Sequence, residues 1–207
     1  MANKHFNKGI AWGKLEGLRR TTSDSVDKKP YLKIYLHCHN ALHGNVKVYG
    51  RIWGADRIAE AEKLLMDEDK QLKKGMGLRL EGFFNQYDKK VEDEITRLSN
   101  FTFFQIAPYD GTEYRAVFIL TGVIEIILRD LEEGSIRLSL DRQGNQPEEF
   151  LLYTDDQKEL KGLEAGQTVQ IKGMMAEQGE EDYFGASSGI FRAYAKEIKI
   201  LEEVEVF

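Results

Sequence analysis

The chain of 207 residues is 42% hydrophobic and 31% charged and holds only three prolines, which excludes extended disorder and suits one domain or two small ones. No apolar run approaches the roughly 20 residues of a membrane span, and no hydrophobic leader follows the first residues. The single cysteine, Cys38, is typical of a reducing compartment, so we expect a cytoplasmic protein.

The charge is distributed unevenly along the chain. Residues 1–57 contain seven lysines and four arginines but only four acids, which gives this part a net charge of +7. Since the whole chain carries −6, residues 58–207 carry −13. Because charges act mainly within a Debye length of about 8–10 Å, a polyanion would respond to the basic part rather than to the total.

The chain opens with a polar arm, residues 1–8, and a glycine-punctuated strand begins at Gly9. Glycine within a strand often marks a bulge or a sharp bend of a barrel. Residues 19–30 are predicted to form a polar loop, and Pro30 leads from it into the next strand.

Two strands, 31–38 and 45–54, flank a predicted turn at 39–44 and alternate with the period of two that is typical of strands. One face is apolar and carries Leu32, Ile34, Leu36, Cys38, Val46, Val48 and Ile52. The other, the ring-and-cation face, carries Tyr31, Lys33, Tyr35, His37, Lys47, Tyr49, Arg51 and Trp53. Rings stack on bases and cations neutralise phosphates, so this face is typical of a surface that binds single-stranded nucleic acid.

After Gly54 the period changes to about 3.6, which predicts a helix over residues 55–73. A strand at 78–84, a charged and partly helical connection at 86–100 and a closing strand at 101–107 follow. Three strands, a helix and two further strands is the order of an OB-fold, a five-stranded barrel.

The second half of the sequence repeats the first. Strands are predicted at 115–129, 135–141, 149–153, 167–176 and 191–201, with a short helical segment or turn at 154–163. At a constant offset of 91 residues, Leu72-x-x-Gly75-x-x-Leu78-x-Leu80-x-Gly82 matches Leu163-x-x-Gly166-x-x-Val169-x-Ile171-x-Gly173. Phe101 matches Phe191 at an offset of 90. The sequence therefore predicts an all-β chain with short helices, built as two tandem OB-folds, residues 1–108 and 113–207, joined near the turn signal Asp110-Gly111.

On these features the chain resembles the OB-fold single-stranded DNA-binding proteins, in the style of bacterial SSB and replication protein A. The resemblance rests on Gly13-Lys14-Leu15, on strands 31–38 and 45–54, and on the repeated entry into the fourth strand. In that family, strands two and three form the binding groove with the loops between strands one and two and between strands four and five. The resemblance implies binding through Tyr31, Lys33, Tyr35, Lys47, Tyr49, Arg51 and Trp53, and through the loop residues Arg19, Arg20, Lys28, Lys29, Tyr87, Lys89 and Lys90.

The second repeat lacks a comparable face. Its strand 135–141 leaves Arg137, Ser139 and Asp141 outside, and strand 149–153 presents either Glu149, Leu151 and Tyr153 or Phe150 and Leu152, depending on register. We therefore expect the first barrel to bind nucleic acid, and the acidic second barrel to pack, dimerise or recruit a partner.

Catalytic and metal chemistry have weak support in the sequence. His37, His39 and His43 cluster near one turn, but no second cysteine or carboxylate group completes the four ligands of a structural zinc site. The acid pairs at 132–133, 148–149 and 180–181 fall in predicted turns, where a solvated face explains them. We expect no enzyme activity, no metal and no cofactor.

The acidic C-terminus ends in Phe207, as the tips of bacterial single-stranded DNA-binding proteins do, and in that family the tip docks on replication and repair proteins. Residues 198–206 would alternatively continue the last strand. The expected function is non-catalytic binding of single-stranded DNA with little sequence preference. The alternatives are a protein–protein scaffold, in which the ring-and-cation face is covered by the second barrel or another subunit, and binding of RNA or oligosaccharide.

Overall fold

A computed structural model describes residues 6–23, 26–40, 44–91, 94–129, 134–141, 147–154, 156–178 and 190–201. The described chain is almost entirely β. Its strands are β1 (Phe6–Thr22), β2 (Pro30–Asn40), β3 (Gly44–Trp53), β4 (Gly77–Val91), β5 (Glu94–Pro108), β6 (Arg115–Arg129), β7 (Gly134–Leu140), β8 (Glu148–Thr154), β9 (Thr168–Gln178) and β10 (Ile190–Ile200). Within the described residues, one α-helix, α1 (Ala55–Leu65), follows β3, and one 3₁₀ turn, Gln157–Leu160, follows β8.

The first five strands form a closed ring. Its order is β1, β2, β3, β5, β4 and back to β1. β2 pairs antiparallel with β1 and β3, β1 pairs antiparallel with β4, and β3 pairs parallel with β5 from Gly50–Phe101 to Ile52–Phe103. This is the five-stranded barrel predicted from the element order, and the OB-fold class is confirmed.

The last five strands form a second ring with the same order of neighbours, β6, β7, β8, β10, β9 and back to β6. The parallel pairing recurs between its third and fifth strands, where Tyr153 of β8 is paired with Tyr194 of β10. The 3₁₀ turn takes the place of α1. It begins after Asp156, whose side chain accepts a hydrogen bond from the Lys158 N–H.

The repeated motif marks one backbone joint that each ring contains. In the first ring, the Leu15 N–H donates to Met76 O at 2.9 Å, and the Gly75 N–H donates to Leu15 O at 2.8 Å. In the second ring, Ile124 makes the same two bonds with Gln167 and Gly166, at 2.9 and 2.8 Å. Gly75 and Gly166 have φ of 80° and 90°, a conformation that favours glycine. The 91-residue offset therefore reflects a shared backbone geometry.

Both rings bury the faces that the alternation predicts. In β2, Leu32, Ile34, Leu36 and Cys38 are at most 1% exposed. The equivalent core of the second ring includes Ile136, Leu138, Phe150 and Leu152, which settles the register of β8 with Glu149, Leu151 and Tyr153 outward. Burial of these apolar side chains is the dominant favourable term in folding each ring.

The helix is shorter than the predicted 55–73. It buries Ile58, Ala61 and Leu65 and ends there, because Met66 is extended and forms an isolated bridge with Leu72. Asp67 closes the intervening turn, since its Oδ1 accepts from the Gln71 N–H at 2.7 Å. The described part of the chain contains no helix long and apolar enough to cross a membrane.

Four segments predicted to be irregular are strand in whole or in part. β1 begins at Phe6, inside the predicted arm, and continues to Thr22, so the predicted loop 19–30 is shorter. β2 likewise continues to Asn40, into the predicted turn. The predicted connection 86–100 is instead the end of β4 and the start of β5, which are neighbouring strands. Polar side chains pair across these strands, Gln86 with Ser99 and Arg97 with Asp88.

The chain divides into two compact units. One consists of residues 9–85 and 100–116, and the other contains the described residues of 1–8, 86–99 and 117–207. The described residues of 86–99, at the end of β4 and the start of β5, thus belong to the unit that holds the second ring. There the Gln86 Nε2 donates to Leu151 O at 2.9 Å, and its Oε1 accepts from the Leu151 N–H at 2.7 Å. The assignment of residues 1–108 and 113–207 to two separate domains stays a prediction.

Candidate nucleic-acid interface

The ring-and-cation face is arranged in rows that run across three strands. Residues paired directly opposite one another lie on the same side of a sheet. The pairings of β2 with β3 and with β1 therefore define four rows on the outside of the first ring: Thr21–Tyr31–Trp53, Arg19–Lys33–Arg51, Gly17–Tyr35–Tyr49 and Lys14–His37–Lys47. Rings and cations thus alternate from row to row, about 7 Å apart along a strand.

The row Thr21–Tyr31–Trp53 contains a close, tilted pair of aromatic side chains. The rings of Tyr31 and Trp53 are 4.6 Å apart between centroids and inclined by 32°. Arg51 lies over the same Tyr31 ring, with its Cζ 5.3 Å from the centroid. Because Tyr31 is only 8% exposed, Trp53 is the ring that this pair offers to solvent. Tyr31 is placed to support it from beneath.

The other aromatic row, Gly17–Tyr35–Tyr49, is more open to solvent. Tyr35 and Tyr49 are both half-buried, with centroids 6.3 Å apart. The Lys33 Nζ lies 5.8 Å from the Tyr49 ring centroid, and Asn100 donates to the Tyr49 hydroxyl at 3.5 Å. No side chain rises beside them from β1 because the third position of this row is Gly17.

The cation rows extend further than the sequence indicates. Arg19 was predicted to lie in a loop, but it is an exposed residue of β1 paired with Lys33, so it completes a row of three cations with Arg51. Lys14, which the site prediction does not contain, completes the other row with His37 and Lys47. The positions of both residues follow from the β1–β2 register. This register includes a bulge at Glu16, which the sequence pattern does not predict.

The bulge also places one acid beside the second basic row. Glu16 Oε1 lies 3.4 Å from His37 Nδ1. A protonated His37 would form an ion pair with this carboxylate, and a neutral one would leave the carboxylate to oppose an incoming phosphate. The Arg19–Lys33–Arg51 row is the more strongly cationic of the two.

The predicted loop residues are dispersed. Arg20 lies opposite the buried Leu32, on the other side of β1, and its guanidinium is 3.7 Å from Glu62 of α1. Lys28 and Lys29 do lie in the β1–β2 turn, at the end of β2 where Tyr31 stands, and Lys29 is 3.8 Å from Asp27. Tyr87, Lys89 and Lys90 are in β4 rather than a loop, and the side chains of the two lysines lie outside the described residues.

The second ring presents a smaller group that the sequence did not indicate. The Arg192 Cζ lies 4.5 Å from the Tyr153 ring centroid, and the rings of Tyr153 and Tyr194 are 6.1 Å apart. Tyr194 is nearly buried, at 7% exposure. Of the residues predicted to face outward on strand 135–141, Arg137 in β7 and Asp141 just after it are exposed, so the charge there is mixed.

The described residues contain no group of three or more metal-ligating side chains, and His43 lies outside them. Cys38 points into the core, where burial raises the pKa of its thiol from 9.0 to about 12 and Glu16 adds a smaller contribution in the same direction. A thiol in this state is a poor metal ligand or nucleophile, since both roles require the thiolate.

The fold has counterparts among solved structures. The wild-type single-stranded DNA binding protein from Thermus aquaticus matches with a TM-score of 0.67 and 12% sequence identity, over 99% of this chain and 97% of that one. A deletion mutant of the same protein matches with a TM-score of 0.64 and 14% identity, over 98% and 97% of the two chains. No protein-family model and no curated protein sequence matches the chain. At this identity the likeness shows that the chain shares the fold of those OB-fold proteins.

Proposed function

We propose that this protein binds single-stranded DNA, without catalysis and with little sequence preference, on the outer face of β1, β2 and β3. The observation that carries the proposal is the alternation of rows: Trp53 and the Tyr35–Tyr49 pair flank the cationic row Arg19–Lys33–Arg51. Every base offers a face to stack on, and every nucleotide brings a phosphate, so this pattern fits a polynucleotide without reading its sequence.

The fold likeness supports the same function. The Thermus aquaticus protein, whose fold this chain shares from end to end, is a single-stranded DNA binding protein. Fold alone does not assign a function, because OB-folds also bind oligosaccharides and other proteins. The rows of rings and cations supply the chemistry that fold likeness lacks.

The test is a titration with fluorescently labelled dT oligomers at low and moderate salt. We expect binding that weakens steeply with salt, because displacement of counterions accompanies each phosphate contact. Trp53→Ala should weaken binding by about 5- to 150-fold, the equivalent of one stacked base at about 1–3 kcal/mol. Tyr153→Ala is the matched control, because it removes a half-buried aromatic side chain from the second barrel. It should bind as the wild type does.

Other outcomes point to the other candidate ligands. Tighter binding to rU than to dT would assign RNA, and the absence of binding to either at low salt would favour a protein scaffold. Loss of DNA binding in Tyr153→Ala would contradict the division of labour between the rings. A partner-binding role for the acidic C-terminus also stays a prediction, because residues 202–207, including Phe207, lie outside the described residues. Homo-oligomerisation stays a prediction as well.

A further inference from the structure

The segment that joins the two rings, residues 109–114, is bound to the first of them at both ends. The Tyr109 N–H donates to Gly77 O of β4 at 2.9 Å, and Tyr114 O accepts from the His39 N–H of β2 at 2.7 Å. β1 lies between these two strands, since Lys14 is paired with Gly77 on one side and with His37 on the other. The connecting segment therefore reaches from one neighbour of β1 to the other, beside Lys14.

The path of the connecting segment brings the Tyr114 side chain close to the basic row Lys14–His37–Lys47. The Lys14 Nζ lies 5.4 Å from the Tyr114 ring centroid. The rings of Tyr109 and Tyr114 meet in a T-shaped arrangement, with centroids 6.2 Å apart and planes inclined by 79°. Tyr114 is half-buried, so part of the residue remains exposed.

A second aromatic side chain, that of Trp12, lies in the same region. Trp12 is two residues before Lys14 on β1 and hence on the same outward side. It is half-buried, and the Arg115 Cζ lies 5.2 Å from its ring centroid. Arg115 keeps 59% of its side chain exposed and has the Glu113 carboxylate 3.8 Å away. The rings of Trp12 and Tyr114 and the cation of Arg115 thus continue the alternation beyond the row Lys14–His37–Lys47.

We propose that Tyr114 and Trp12, with Lys14 and Arg115, form a third stacking platform that a single strand reaches after crossing the Lys14–His37–Lys47 row. This inference rests on the proposed function. It makes the connecting segment part of the ligand-binding surface, and it sets the direction of the bound strand along β2 and β3 rather than across them. A strand too short to cross the last basic row would not touch this platform.

The two tryptophans of the chain allow each end of the face to be observed separately. Trp53→Phe leaves Trp12 as the only tryptophan, and Trp12→Phe leaves Trp53, while both variants keep an aromatic ring at the substituted position. Each would be titrated with dT oligomers of about 4 and about 12 nucleotides, which span the range that one barrel of this type contacts. We expect the short oligomer to quench Trp53 alone and the long one to quench both tryptophans.

Tyr114→Ala then tests the platform by affinity. We expect it to weaken binding of the long oligomer by about 5- to 150-fold and to leave the short one unchanged, because stacking on one ring is lost. Tyr114→Phe, which keeps the ring, should bind both as the wild type does. Phe104→Ala, which removes a ring of β5 that is 42% exposed, is the control and should alter neither.

The outcomes separate this inference from the proposed function. If Trp53 responds but Trp12 does not respond to the long oligomer, the platform is absent and the proposed function stands. Equal weakening of short and long oligomers by Tyr114→Ala would also overturn the inference, because it would show that Tyr114 only supports the fold of the face. If neither oligomer binds the wild type at low salt, the proposed function itself fails.

Discussion

Lys33 and Arg51 are paired directly opposite one another on β2 and β3, so two cations occupy a single cross-strand position. Like charges at directly opposite positions destabilise a sheet. Each side chain leans over a ring, Arg51 over Tyr31 at 5.3 Å and Lys33 over Tyr49 at 5.8 Å, which offsets part of the repulsion. An anion bound between them would remove the rest, and this is why we place a phosphate at this row.

Replacement of Lys33 by glutamine tests the cation row. We expect weaker binding of dT, and a slope of log affinity against log salt that is less steep by about 0.7, the value for one phosphate contact in a single strand. The free energy of unfolding should change by less than about 1 kcal/mol, because the lost cation–π contact and the relieved repulsion oppose each other. Lys199→Gln, at an exposed lysine of β10, is the control. An unchanged salt slope in Lys33→Gln would remove the phosphate from this row.

Substitution by alanine should destabilise the protein at Gly82 but not at Gly17. A Cβ on Gly82 would collide with the Thr102 carbonyl oxygen and lie 2.7 Å from Phe103 Cα, and neither backbone atom is free to move. We expect Gly82→Ala to reduce the free energy of unfolding by about 1–3 kcal/mol or more. A Cβ on Gly17 would meet only Tyr35 Cδ2 at 3.4 Å, an ordinary contact, so Gly17→Ala should unfold as the wild type does. Urea denaturation of both variants checks this, and equal stabilities would contradict it.

Cys38 predicts a loss of stability at alkaline pH. Its pKa is about 12 in the folded protein, raised by burial above the value of 9.0, so the unfolded chain releases the thiol proton first as the pH rises. The thiol's contribution to stability is therefore fully present below pH 9 and declines between pH 9 and 12. Cys38→Ala should flatten this part of the stability profile, as measured by denaturation at each pH.

The same burial predicts that native Cys38 resists thiol reagents. We expect slow labelling at pH 8 and rapid labelling once urea unfolds the protein, because the thiolate is the reactive form. Rapid labelling of the folded protein would show that the core around β2 opens locally.

Gln86 should stabilise the unit that holds the second ring. Its amide forms two hydrogen bonds with the backbone of Leu151 and a third with Ser99 Oγ at 3.1 Å. We expect Gln86→Ala to cost about 1–3 kcal/mol of unfolding free energy, because partly buried backbone groups of Leu151 would lose their partners. Gln105→Ala, at an exposed amide of β5, is the control. Wild-type stability of Gln86→Ala would mean that water replaces the amide.

Much of the fold was predictable because it depends on local pattern. The alternation in strands 31–38 and 45–54 correctly assigned the buried side of β2, and the spacing of Gly75 and Gly166 located the repeated joint. Residues 86–100 show no such alternation. These strand ends are stabilised by pairs such as Arg97 with Asp88, whose Nε and Oδ1 are 2.7 Å apart. This contact lowers the pKa of Asp88 and connects residues that sequence periodicity does not relate.

The candidate site was predictable in part for the same reason. The rings and cations of β2 and β3 follow from a period of two, but their arrangement in rows with β1 does not. The bulge at Glu16 shifts the β1–β2 register, and this shift brings Lys14 and Arg19 to the face. Tyr114 depends on the course of the connecting segment, which hydrogen bonds to Gly77 and His39 determine.

The parallel pairing of β3 with β5 has a consequence for the order of events in folding. The β2–β3 hairpin connects residues no further apart than Tyr31 and Trp53, whereas closure of the first ring connects Gly50 to Phe101. Contacts between residues distant in sequence form slowly because a long loop must first be ordered. We expect the hairpin to be sampled early, while the chain is still being synthesised, and ring closure to limit the folding rate. The β2–β3 hairpin, which carries the aromatic side chains of the candidate site, would then form before the first barrel closes.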